Sequence, residues 1–269
     1  MSFAPVLPAS GITGWAFLNR TLSAQKAAFE KDGALQGDMA YFRENIGKVK
    51  TADQLMGDRR LLRVALEAHG LRDDLPNRAF IQKVLESSSF SAGSLTNRLA
   101  DKRYQAFSQT FGFGDFATPN TQRSDFADKI LSAFRERRFE EAVGSQDETL
   151  RLAMNAQREL GVIAARPGTE NGRWYSALAS PPLRQVLQTA FGLPSSFLSI
   201  DIDRQLTILK SKAQSLLGQS DLAAVSDLRN MDKLIRQYLF RSDAATSSPT
   251  SPALTLLQGT ATNKLSLYA

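Results

Sequence analysis

The chain has 269 residues, 33 of them Lys or Arg and 27 Asp or Glu, with one histidine, no cysteine and a formal charge of +6. Its hydrophobic share of 42% can build one large core or two modest ones, and no run approaches the ~20 apolar residues of a spanning helix. The lack of cysteine removes disulfides, thiolate metal sites and cysteine nucleophiles, and the small basic excess is no nucleic-acid footprint; neither membrane insertion nor nucleic-acid binding is expected.

The opening segment, MSFAPVLPASGITGWAFLNR, lacks the basic and apolar regions of a secretory signal peptide, and residues 1–12 read as a flexible start. Two helices are predicted over 13–47, the first carrying Trp15, Phe17, Leu18 and Leu22, the second Met39, Tyr41 and Phe42. Thr51-Ala-Asp-Gln54 reads as a capping box opening a helix that runs to His69 and stops at Gly70. The next helix starts near Pro76 and buries Phe80, Ile81, Val84 and Leu85. Another spans Ser94 to Thr110 and ends at Phe111-Gly112-Phe113, and Phe126, Ile130 and Phe134 mark the following stripe. On that helix Arg137 and Glu141 stand four apart and can pair.

Ser145-Gln-Asp-Glu148 reads as a second capping box, opening a helix that carries Leu152, Ala153, Ala156 and Leu160 and stops near Gly161. Residues 165–172 form a loop, Trp174 and Tyr175 begin a short helix, and Pro181-Pro182 breaks it. Two further helices follow, one with Leu206, Leu209, Leu216 and Leu217, the other with Val225, Leu228, Ile235 and Leu239. The expected fold is all-α, a multi-helix bundle.

One segment occurs twice. LLRVALEAHGL at 61–71 and LRQVLQTAFGL at 183–193 align at an offset of 122, matching Leu61, Val64, Ala68, Gly70 and Leu71 with Leu183, Val186, Ala190, Gly192 and Leu193. An apolar stripe followed by a helix-stopping glycine and a leucine implies an internally duplicated helical unit. The organisation is then a first half over 13–143, a second over 144–241 in the same domain or its own, and a mobile Ser/Thr/Ala/Pro-rich tail over 242–269.

Catalytic signatures are missing. Gly112-Phe113-Gly114 lacks the strand and the Lys-Ser/Thr of a phosphate loop, and the pairs Asp201/Asp203 and Asp73/Asp74 lack calcium-loop spacing, so helix-start roles explain them better. His69 aligns with Phe191 and reads as packed at a helix end. Trp174-Tyr175 beside Arg173 reads as core rather than a stacking platform. No catalytic residue, metal or cofactor is expected. Two features suit a protein partner: the tail clusters Leu254, Leu256, Leu257 and Leu265, Leu267, Tyr268, and the basic face Arg59, Arg60, Arg63 near Asp53 and Asp58.

The run Leu55-Met-Gly-Asp58 through LLRVALEAHGL, with NRAFIQKVLES, SLTNRLADKRYQAFSQTFGFG, FEEAVG, AFGLP and IDIDRQL, resembles a bacterial family of unknown function over about residues 13–241. Its members occur in alphaproteobacteria, and their genes often lie in flagellar clusters. The resemblance implies flagellar assembly or structure, with flagellar proteins as partners, in the cytoplasm or at the flagellum, and carries over no catalytic residue. The chain is therefore expected to act without catalysis, by protein–protein contact; association between copies stays open. The alternatives are a chaperone-like binder of an export substrate's amphipathic helix and an enzyme with a carboxylate-bound metal at Asp201 and Asp203.

Overall fold

The structure, a computed structural model, describes residues 3–246, which form fourteen α-helices and four short 3-10 turns with no strand. Residues 3–10, predicted to be loose, are tied down. The Phe3 ring packs between Phe29 and Phe139, Val6 exchanges backbone hydrogen bonds with the Gln25 amide, and Gln146 donates to the Pro5 carbonyl. The first helices are α1 (Gly11–Phe29) and α2 (Gly33–Asn45), where Asp32 caps α2 by accepting from the Ala34 and Leu35 N–H groups at 3.0 Å.

The single helix predicted over 51–69 breaks at Asp58 into α3 (Ala52–Gly57) and α4 (Arg59–His69). Asp58 adopts an extended backbone, and its carboxylate accepts from the Arg60 and Leu61 N–H groups at 2.9 Å, restarting the helix. Thr51 caps α3 as predicted, while the Gln54 side chain reaches the Lys50 N–H, one residue earlier than in a standard capping box. After α5 (Arg78–Glu86), the helix predicted over 94–110 also divides, into α6 (Leu95–Arg98) and α7 (Lys102–Phe111), with Asp101 capping the second.

Two long helices follow, α8 (Phe126–Gly144) and α9 (Glu148–Ala165). Asp147, not Ser145, caps α9 through the Leu150 N–H, because the Ser145 hydroxyl turns back to the Ala142 carbonyl of α8. The helix runs past Gly161, which lies on an exposed face with open space around it, to Ala165. Next come α10 (Glu170–Leu178), α11 (Pro181–Ala190), α12 (Ile202–Leu217), α13 (Leu222–Val225) and α14 (Leu228–Thr246). Pro181 and Pro182 occupy the first turn of α11, where a missing N–H costs nothing. The last predicted stripe divides: Val225 closes α13, Leu228 is exposed at the start of α14, and Ile235 and Leu239 are buried; Leu216 on α12 is exposed as well.

The α8–α9 hairpin is the centre. Helix α4 lies along α8, α11 and α14 pack on α9, and α14 also meets α1. Buried apolar side chains from Trp15 to Leu239 make one contiguous cluster drawn from both sequence halves. None of the helices in the described residues is long and apolar enough to cross a membrane.

Both copies of the repeated segment stop in the same way. Gly70 (φ +69°) donates to Glu67 O at 3.1 Å while Leu71 donates to Leu66 O at 2.9 Å; Gly192 (φ +63°) donates to Thr189 O at 3.0 Å and Leu193 to Gln188 O at 2.9 Å. Each pair of bonds is the six-to-one and five-to-two closure of a glycine-ended helix. A guanidinium covers each glycine: a Cβ added at Gly70 would stand 2.5 Å from Arg137 Nη1, and one at Gly192 would meet Arg241 closer still. We predict that Gly70→Ala and Gly192→Ala each destabilise the fold by at least about 1–2 kcal/mol through left-handed strain alone. Gly161→Ala should instead stabilise it by about 0.5–1 kcal/mol; urea unfolding midpoints measure all three.

Candidate functional site

Where α4, α7, α8, α9 and α11 come together, a cleft of about 750 Å³ opens, and a second hollow of about 320 Å³ shares Arg103 and Arg137 with it. The walls are charged, and most of the charges are matched. Arg158 on α9 grips Glu140 on α8 with two hydrogen bonds, 2.6 and 3.1 Å. Arg103 binds both oxygens of Asp101 and donates to the Gly70 carbonyl. Arg151 pairs with Glu148 at the cleft mouth. Glu159 accepts from Ser180 Oγ at 2.5 Å and from Asn155 Nδ2 at 3.4 Å.

Arg137 departs from this pattern. The i,i+4 pairing predicted with Glu141 does not form: Glu141 instead takes Arg72 at 2.8 Å and Arg138 at 3.4 Å. Arg137 turns the other way, donates through Nε to the Ala68 carbonyl at 3.0 Å, and has its nearest carboxylate, Glu159, at 3.7 Å. Burial, with Arg158 close by, lowers its pKa to about 10, so it stays a cation at neutral pH.

A second charged cluster centres on Glu67 of α4. Glu67 is 0% exposed, with guanidinium nitrogens of Arg63, Arg72 and Arg138 at 3.6–3.7 Å and no hydrogen bond to either oxygen. Burial pushes its carboxyl above the usual range, with Arg138 pulling in the opposite sense. Nothing in the sequence marks this residue as buried except its place between Leu66 and Ala68, and Arg138 lies far along the chain.

His69 ends α4 at the rim of the smaller hollow, its ring edge against Phe107 with a centroid separation of 5.1 Å. Nδ1 donates to the Ala65 carbonyl at 2.8 Å, and Nε2 lies 3.1 Å from Thr110 Oγ1, whose own proton goes to the Ala106 carbonyl at 2.7 Å. Burial pushes its pKa down to about 4, so the ring is neutral at pH 7.

The basic face is largely committed within the molecule. Arg60 and Arg63 both bind Asp38 on α2, at 2.9 and 2.7 Å, and Arg60 lies over the Tyr41 ring at 4.5 Å; Arg59 is exposed. The acidic neighbours predicted from sequence differ: Asp58 caps α4 and accepts from Tyr41 Oη at 2.7 Å. Leu254, Leu256, Leu257, Leu265, Leu267 and Tyr268 lie outside the described residues. Asp201 caps α12 and Asp203 accepts from the Tyr175 hydroxyl, while Asp74 accepts from Tyr104 Oη at 2.8 Å. Among the described residues no group of three or more His, Asp or Glu could hold a metal ion. Trp174 is fully buried, donating to the Ser220 carbonyl at 2.9 Å.

The sequence from residue 68 to 234 matches the family of proteins of unknown function DUF1217, and the chain belongs to that family. An X-ray crystal structure of a protein from Agrobacterium tumefaciens, from a structural genomics consortium, has a similar fold. The TM-score is 0.72 and the identity 23%, over 91% of this chain and 100% of the other. Among curated proteins none matches.

The half-buried histidine makes stability depend on pH. Its folded pKa of about 4 lies below the unfolded value of 6.5, so the unfolded chain binds the extra proton between those values. The contribution is full above pH 6.5 and fades as pH falls toward 4. Between pH 7.5 and 5.0 we expect His69 to account for about 2 kcal/mol of lost stability. His69→Phe should remove that share, read as the difference between urea unfolding free energies at the two pH values; an unchanged difference would count against it.

Proposed function

We propose that this member of the DUF1217 family acts by protein–protein contact in flagellar assembly or structure, through an aromatic pair displayed on its surface. The observation carrying this reading is Phe90, 72% exposed, beside Phe116, 48% exposed, edge to face with ring centroids 5.8 Å apart. Leaving such side chains in water forgoes roughly 25 cal/mol per Å² of burial. The loops holding them are nonetheless firmly built. Asp115 accepts from Ser88 Oγ at 3.0 Å, Ser89 N at 2.6 Å and Ser89 Oγ at 2.7 Å. Asn97 donates to the Ser89 and Ser91 carbonyls, and Asn120 to those of Gln109 and Thr110 at the end of α7. A pre-ordered aromatic pair loses little conformational freedom when a partner covers it, which favours its use as an anchor.

The flagellar setting rests on the family resemblance, and Arg59 with the tail leucines and Tyr268 remains part of the same proposal as further contact. We also read the scaffold as one helical unit used twice. On that reading α4 corresponds to α11, and what supports it is that the two aligned segments close with equivalent bonds. A chaperone that lays an apolar helix face in a groove is less well supported, because the cleft of about 750 Å³ is walled by Arg and Glu.

The test is a pull-down of the tagged full-length chain from its own cells beside the Phe90→Ser/Phe116→Ser double variant. Wild type should retain flagellar proteins, and the variant, folded by circular dichroism, should lose them at least about tenfold. Equal recovery by both would remove the aromatic site; no flagellar protein with either would remove the flagellar setting.

A further inference from the structure

The cleft beside Arg137 contains an unmatched donor and an unmatched acceptor. Arg137 spends one of its N–H groups on the Ala68 carbonyl, and the others make no hydrogen bond among the described residues, Glu159 standing 3.7 Å away. Its side chain keeps 18% of its exposure and lines both hollows. The neighbouring cations offer no such surplus: Arg103 and Arg158 are each held by two hydrogen bonds or more to a carboxylate. The planar fork of a guanidinium fits a carboxylate with two parallel bonds.

Asn155 lines the same cleft, is 2% exposed, and its Oδ1 has no partner among the described residues. The amide cannot be turned over to correct this, because Nδ2 faces the Glu159 carboxylate at 3.4 Å and an oxygen there would be repelled. A buried acceptor without a donor costs about 1–3 kcal/mol, a deficit that an N–H group entering the cleft would make good. Glu140 and Glu148 on the walls also favour N–H groups and oppose a second negative charge.

We propose that this cleft binds a ligand ending in a single carboxylate and carrying N–H donors next to it, with Arg137 gripping the carboxylate and Asn155 Oδ1 accepting an N–H. That chemistry belongs to the C-terminal end of a peptide and to a free amino acid, and a volume of about 750 Å³ admits either. The site is separate from the Phe90–Phe116 surface and stands or falls apart from it.

The experiment follows the arginine Nε–Hε signals of the full-length protein by NMR at constant ionic strength. The probes are trialanine, trialanine with its carboxyl amidated, alanine, and inorganic phosphate. The proposal predicts a saturable shift of the Arg137 signal with trialanine and none with its amide. Arg137→Lys, which keeps the charge and loses the fork, should weaken trialanine binding at least about tenfold. If that variant does not fold, the wild-type titrations decide alone. Alanine binding as well as trialanine identifies a free amino acid as the fitting source, and a silent alanine identifies a chain end. The proposal is overturned if neither acid binds, if the amide binds as well, if phosphate binds as tightly, or if a folded Arg137→Lys protein binds like wild type.

Discussion

Charge buried along the α8–α9 hairpin sets the terms for the helices packed on it. Glu140 and Arg158 bind each other across the hairpin, while Arg137 and Arg138 reach from α8 to the end of α4. Taking ions out of water costs several kcal/mol each unless the geometry returns it. Part of the return comes from α4, whose last carbonyls have no partner within their own helix. Ala68 O accepts from Arg137 and Gly70 O from Arg103. The glycine that stops α4 and the arginines that meet it therefore work as one joint: a helix ending a residue later would turn those carbonyls elsewhere. At Gly192 another guanidinium, that of Arg241, lies close in the same way.

The joint explains why α4 is buried on nearly every side. Leu61, Leu62, Val64, Ala65, Leu66, Glu67 and Ala68 are all enclosed, leaving Arg59 and Arg60 to water. The one carboxylate of the helix, Glu67, is enclosed with them, while the basic face of Arg59, Arg60 and Arg63 stays at the surface. Three arginines near Glu67 supply charge without hydrogen bonds, an arrangement that compensates the carboxylate only in part.

Local chemistry made much of the fold legible. The stripe Phe126, Ile130, Phe134 is buried, and Gly70, Gly112 and Gly192 end helices or their final turns with positive φ. Errors arose where a short polar residue had two possible employments. Asp58 interrupts a strong apolar pattern because its carboxylate can cap as well as sit on a helix surface, and Ser145 bonds backward rather than forward. The site was far less legible. Spacing along α8 offers Arg137 a partner in Glu141, but Arg72 and Arg138 outcompete it from directions that sequence does not reveal. Asp38 takes Arg60 and Arg63 for the same reason. Asp115, which stiffens the loop bearing Phe90, and the unpartnered Oδ1 of Asn155 likewise depend on residues brought together only by tertiary packing.

The contact between α1 and α14 has a consequence for how the molecule is made. These helices bracket almost all of the described chain, yet they pack together, and Gly11 lies so near Asp243 that a Cβ there would collide with it. During synthesis from the N-terminus, α1 emerges well before α14 and must wait for it. Joining them closes a loop that spans most of the described residues, the kind of non-local step that slows folding. Until α14 leaves the ribosome, part of the inner face of α1 has no cover, and the nascent chain is a substrate for factors that shield apolar surface. The α1–α14 contact is thus made late, and its timing is set by translation of α14.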